Sequence, residues 1–121
     1  MNNPTKILIV EDEVINAMFI KLQLVKNEFQ VCNCVTTGEE AIESSISDMP
    51  DVILMDIGLA SDMDGVTAAE HIQSKQDIPI IFLSAFKTEA IQERTSQIKP
   101  GIFLDKPVDI SKLITVLKLL K

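Results

Sequence analysis

Positive charge is scarce in this chain. Eleven lysines and arginines face eighteen acids, a net charge of −7 over 121 residues. That balance argues against a general nucleic-acid or anionic-membrane surface and leaves room only for a local basic patch. Cysteine is nearly absent: Cys32 and Cys34 are the only two. On a strand, C-x-C spacing puts both side chains on one face at a poor separation for a disulfide. A zinc site would need further ligands, and the single histidine, His71, lies far along the chain in an apparent helix. The expectation is therefore a pair of reduced, mostly buried thiols. No apolar run approaches the roughly 20 residues needed to span a bilayer. The start, Met1-Asn2-Asn3-Pro4-Thr5-Lys6, lacks a signal-peptide pattern, because a strand follows where the apolar region would lie. A cytoplasmic location is the default expectation. Linkers rich in Gly, Pro or Ser, internal repeats and low-complexity tracts are also missing, so residues 1–121 are expected to form a single domain.

What is present is apolar and patterned. Hydrophobic residues make up 46% of the chain, enough for a compact core. The run Val52-Ile53-Leu54-Met55 reads as a strand buried on both faces, and it ends on Asp56. Ile7-Leu8-Ile9-Val10 likewise delivers Glu11-Asp12-Glu13, and Ile102-Phe103-Leu104 delivers Asp105-Lys106-Pro107.

Strands are expected at 7–10, 31–35, 51–56, 78–83 and 101–104. Between them, helices are expected at about 14–27, from Thr37 to Ser47, and at 65–75, 87–98 and 109–120. In the first helix Val14, Met18, Leu22 and Val25 form one stripe, and Ile15, Phe19 and Ile20 lie on another flank, so much of its surface should be covered. Thr37 and Glu40 suit a capping box, and Asp48-Met49-Pro50 suits a helix stop. The helix over 87–98 is sparsely anchored, by Ala90, Ile91 and Ile98. Strand and helix alternate five times with short connections. This predicts an α/β three-layer sandwich of flavodoxin-like (βα)5 type, with parallel strands in the order 2-1-3-4-5.

In such a sheet, ligands bind outside the carboxyl ends of the strands. Glu11, Asp12 and Asp56 would gather there, and carboxylates at close range raise one another's pKa unless a cation neutralises them. Oxygen ligands suit a hard ion, ordinarily Mg²⁺. Asp56 could then attack phosphorus, Lys106 would supply a compact positive charge, and Ser84 could donate a hydroxyl hydrogen bond to a phosphoryl oxygen. Taken singly, each signal has a plainer reading. An acid after a strand is usually a turn or cap residue, Glu11-Asp12-Glu13 would suit a helix N-terminus, and Lys106-Pro107 would pass as a loop. The joint placement at the ends of strands one, three, four and five is what carries weight.

These residues make the chain resemble the receiver domain of two-component response regulators over essentially its whole length. The matching features are Glu11-Asp12, Asp56 in Leu-Met-Asp-Ile, Asp64-Gly65 opening the third helix, Ser84-Ala85 and Lys106-Pro107. The resemblance implies that Asp56 accepts a phosphoryl group from a histidine kinase or phosphotransfer protein. It implies that Asp12, Asp56 and the backbone carbonyl of Gly58 bind Mg²⁺, with Glu11 helping through water. Ser84 and Lys106 would hold the phosphoryl group. Phe103 falls at the family's switch aromatic, although a simple core role would also explain it. Phosphorylation would reshape the face formed by the fourth helix, fifth strand and fifth helix. That change would alter contacts with a downstream protein target or output domain, and phosphorylation-dependent homodimerisation around residues 87–117 is a related expectation.

The departures from the family pattern have consequences. Glu11 stands for a commoner Asp, Ser84 for Thr and Phe103 for Tyr. The loop after Asp56 lacks a frequent proline and has an extra residue within Ala60-Ser61-Asp62-Met63. Gly58 and Phe86 occupy positions where polar side chains can orient hydrolytic water, so a relatively long-lived phosphoaspartate is expected. Turnover of an external substrate is not: a haloacid dehalogenase-like phosphatase would want an acid at the position of Gly58. An FMN site would be repelled by Glu11-Asp12-Glu13, and no G-x-x-x-x-G-K-[ST] loop occurs. The remaining alternative is a receiver-fold module that binds proteins independently of phosphorylation.

Overall fold

The structure, a computed structural model, describes residues 4–59, 62–85 and 88–120. Its order is β1 (Lys6–Val10), α1 (Val14–Lys26), β2 (Gln30–Val35), α2 (Gly38–Ser47), β3 (Val52–Asp56), α3 (Gly65–Gln73), β4 (Ile80–Ser84), α4 (Glu89–Ser96), β5 (Gly101–Asp105) and α5 (Ile110–Leu119). The five strands are parallel in the order β2-β1-β3-β4-β5. The predicted fold and order are those observed, with element ends differing by a few residues.

Strand alternation divides the core into two layers. Leu8, Val10, Ile53, Met55, Ile80 and Phe82 face one way, packed with Ala41 of α2 and Val66, Ala69 and Ile72 of α3. Ile7, Ile9, Val52, Leu54, Ile81 and Leu83 face the other, against Ala17, Ile20 and Leu24 of α1 and Leu113 and Leu117 of α5. β3 is buried along its whole length, which is why it reads as a continuous apolar run rather than an alternating one.

The helix ends follow local chemistry. Thr37, Asp64, Thr88 and Asp109 are N-caps whose side chains accept from Glu40, Thr67, Ile91 and Lys112 backbone N–H groups. The Glu40 carboxylate reaches back as expected, but to the Thr36 N–H (3.3 Å) and the Thr36 and Thr37 hydroxyls. α2 stops after Ser47, with Asp48 as C-cap and Met49 at φ 49°.

Two expectations are overturned. In α1 the buried stripe is Ala17, Ile20 and Leu24, whereas Val14, Ile15, Met18, Phe19, Leu22 and Val25 are exposed. The helix turns its smaller apolar stripe inward and leaves the larger one in water. The cysteines do not share a face. β2 slips register between Val31 and Asn33, so Cys32 is the extra residue of a bulge. Cys32 is half-buried against the layer of Leu8 and Val10, while Cys34 lies opposite Ile9, on the other side, and is exposed.

α4 differs from the other helices in having no buried residue. Ile91 is half-buried, Ala90 is exposed, and Ile98, just beyond the helix, is buried.

Candidate functional site

The parallel register brings the predicted residues to one edge. Val10 pairs with Met55, Asp56 with Leu83, and Ser84 with Asp105, so the carboxyl ends of β1, β3, β4 and β5 lie side by side. Backbone bonds carry the alignment past the strand ends. The Glu11 N–H donates to Val35 O (3.0 Å), Ile57 N–H to Leu83 O (3.1 Å) and Lys106 N–H to Ser84 O (2.9 Å).

Asp56 and Glu11 are buried, at 4% and 2% exposure. Burying two acids without a counter-charge would be costly, and the lysine supplies one. Lys106 Nζ lies 3.1 Å from Glu11 Oε1 and 3.1 Å from Asp56 Oδ2. Asp56 Oδ1 accepts from the Gly58 N–H (3.0 Å), and Glu11 Oε2 accepts from the Glu13 N–H (3.3 Å). The Lys106–Pro107 peptide is cis.

One ammonium does not neutralise this edge. Carboxylate oxygens of Glu11, Asp12 and Asp56 lie within 4.8 Å of one another. Burial, a hydrogen bond to Asp56 and that residue's charge push Glu11 up to about 7, against the pull of Glu13 N–H and Lys106. Burial works against the charged lysine, but its bonds to Asp56 and Glu11 prevail and its pKa is raised. An all-oxygen set short of positive charge fits a hard divalent cation.

Two features were not legible as part of the site. Gly65 begins α3 directly on the Asp56 backbone: a Cβ there would overlap the Asp56 carbonyl oxygen and come within 2.9 Å of Met55 Cγ. Glycine is needed for the close approach, which fixes α3 against the strand that carries Asp56. The sequence marks Asp64-Gly65 as a family feature that opens the third helix, and gives no sign of the contact with Asp56. The second feature is Arg94, the chain's single arginine, which reaches from α4 to Asp64 Oδ2 (2.8 Å) and Oδ1 (3.2 Å) and to the Thr67 hydroxyl (3.1 Å). Its hydrogen bond holds the Asp64 carboxyl below its ordinary range. No spacing rule links residues so far apart in sequence.

Ser84 is buried at the end of β4, next to the Leu83 that pairs with Asp56. Phe103 is half-buried. It packs against the layer containing Phe82 and borders a cleft of about 210 Å³ with Gln92, Thr95 and Ser96 of α4. Gly58 stands beside Asp56 through its N–H. Phe86, Ala60 and Ser61 lie outside the described residues.

The family described as response regulator receiver domain matches residues 7–118. This chain belongs to that family. The receiver is 33% identical over 116 residues to the transcriptional regulatory protein PdtaR of Mycobacterium tuberculosis, covering 96% of this chain and 56% of that protein. It is 34% identical over 110 residues to the chemotaxis protein CheY of Bacillus subtilis, covering 90% and 91%. Among solved structures, the signal receiver domain of a modulated diguanylate cyclase from Desulfovibrio desulfuricans superposes with a TM-score of 0.88 at 30% identity, covering 97% of this chain and 93% of that one. The receiver thus spans about half the length of PdtaR. It spans 32% of an Archaeoglobus fulgidus protein-glutamate methylesterase, whose match is confined to 114 residues. A phosphoacceptor role is general to the family, as is Mg²⁺ binding. No helix among the described residues is long and apolar enough to cross a membrane.

Proposed function

We propose that this receiver is a phosphorylation switch in a two-component system or phosphorelay, with Asp56 as the acceptor of a phosphoryl group from a histidine kinase or phosphotransfer protein. The observation that carries the reading is the single ammonium of Lys106 shared by two buried carboxylates, Asp56 and Glu11. A carboxylate oxygen of Asp56 attacks phosphorus, an O–P bond forms, the N–P bond to the donor imidazole breaks, and its electron pair stays on the imidazole nitrogen. Held by Glu11, Asp12, Asp56 and the Gly58 carbonyl, Mg²⁺ would neutralise charge at the phosphoryl oxygens.

The chain's own groups do the rest. The Gly58 N–H holds one Asp56 oxygen and so orients the carboxylate. Lys106 passes from the acid pair to a phosphoryl oxygen, and Ser84 donates a hydroxyl hydrogen bond to another. Phe103 then repacks toward β4, using the cleft beside α4, and the α4–β5–α5 face changes its contacts with a downstream target or output domain. The receiver modifies itself and turns over no external substrate, and residues 1–121 act as one unit.

The test is intact mass after incubation with Mg²⁺ and acetyl phosphate, then with phosphohistidine donors. One phosphoryl adduct is expected. It should depend on Mg²⁺, be missing in Asp56→Asn and be slow to decay. An adduct that persists in Asp56→Asn would overturn the assignment. An unmodified wild-type protein with every donor would leave a binding module that acts independently of phosphorylation.

A further inference from the structure

Helix α1 carries two apolar stripes on opposite sides. Ala17, Ile20 and Leu24 are sealed against the sheet. Away from it stand Ile15, Met18, Leu22 and Val25, with 83, 58, 61 and 53% of their surface exposed. Val14 and Phe19, 61 and 50% exposed, widen this second stripe. Among the described residues the other large exposed apolar side chains are Ile46 of α2, Met49 in the turn after it and Leu119 of α5. The steps from Ile15 to Met18, Leu22 and Val25 are three, four and three residues, the a/d spacing with which one helix packs along another.

We propose that the outer face of α1 is an interface between two copies of this chain, packed antiparallel about a twofold axis near Ile20. Three observations select a second copy. The stripe is self-complementary when reversed: Ile15 meets Val25 of the other copy, and Met18 meets Leu22, which is what an isologous contact requires. Charge sets the direction. A parallel pair would place Lys21 against Lys26 of the other copy. The antiparallel pair brings Lys26 to the start of the other helix, whose N-cap residue Glu13 is exposed, and opposes the two helix dipoles. The area is sufficient. At roughly 100 Å² for each largely exposed side chain, the six residues offer about 600 Å² per copy, so a pair buries about 1,200 Å², the lower edge of specific interfaces. Association should therefore depend on concentration and, at −7 per copy, strengthen with salt.

The face adjoins the phosphorylation site. Asn16, Phe19 and Ile20 border a cleft of about 450 Å³ together with Glu11, Lys106, Pro107 and Val108. A second copy on α1 stands at its mouth and obstructs a protein donor more than a small one. This consequence rests on the reading of Asp56 as acceptor, whereas the association does not.

Sedimentation equilibrium of the full chain over a wide concentration range tests the association without reference to phosphorylation. Wild type should be a concentration-dependent dimer. Leu22→Glu, at an exposed position, should keep its circular dichroism and melting temperature while its dissociation constant rises at least about tenfold. Lys26→Glu should weaken the dimer, and Glu13→Lys in the same chain should restore it. A wild type that stays monomeric at roughly hundreds of micromolar overturns the proposal. So does a dimer indifferent to Leu22→Glu, or a charge swap without rescue. A monomeric wild type whose Leu22→Glu variant accepts phosphate poorly from a histidine donor, yet normally from acetyl phosphate, would assign the face to the donor.

Discussion

Helices α3 and α4 are neighbours joined through Asp64 and Arg94, and they are held in opposite ways. α3 buries Val66, Ala68, Ala69 and Ile72, seats Gly65 on the Asp56 backbone, and donates the Gly65 N–H to Ile57 O (3.2 Å). α4 has no fully buried residue, only the half-buried Ile91 on the core, and is tied across to α3 by Arg94 and Asp64, whose side chains are 42 and 40% exposed. The magnitudes differ accordingly. Each large apolar side chain buried stabilises by about 1.5–3 kcal/mol, whereas an exposed ion pair contributes about 0–1 kcal/mol. The difference separates two duties. The carboxylate that must keep its geometry rests on a helix that cannot shift, and the element expected to report the change is free to do so.

The hold of α3 on the Asp56 strand is most vulnerable at Gly65. Gly65→Ala forces a methyl group against main chain that cannot yield, and should destabilise by roughly 2–3 kcal/mol in urea unfolding. It should also slow Asp56 phosphorylation, because α3 is pushed from the strand. Unchanged stability would mean that α3 is not pinned. A smaller effect is expected on the other side. Arg94→Ala should change global stability by no more than about 1 kcal/mol, yet speed hydrogen exchange across residues 89–96 while residues 65–73 stay protected. Equal acceleration in both helices would erase the distinction. The smallest effect lies outside both regions. Glu28 closes α1 at φ 70°, with its N–H bonded to Val25 O (3.1 Å) and the Phe29 N–H to Leu24 O (3.0 Å). Glu28→Gly relieves the left-handed strain and should stabilise by about 0.5–1 kcal/mol, read as a higher melting temperature. It should leave exchange in α3 and α4 unchanged.

The sequence was most legible where chemistry coincides with punctuation. Asp56, Glu11-Asp12, Ser84 and Lys106 each follow an apolar run, and parallel pairing then brings them to one edge. Orientation within an element was harder to read. α1 is apolar on two sides, and periodicity alone favours the longer stripe. What decides the matter is close packing on the sheet, and Ala17 permits it. The β2 bulge was hidden for a related reason: alternation assigns Cys32 and Cys34 to one face, and a single extra residue moves them apart. The Arg94–Asp64 tie and the approach of Gly65 to Asp56 are tertiary contacts that no local pattern announces.

On the proposed reading, phosphorylation of Asp56 is anchored on the fixed α3 and reported by the looser α4 and β5. Hydrogen exchange followed by peptide mass spectrometry, on unmodified and Asp56-phosphorylated protein with Mg²⁺ in both, tests it most directly. Altered protection should concentrate in residues 88–105, with little change in residues 64–73. A response centred on α3, or spread evenly over both helices, would contradict it.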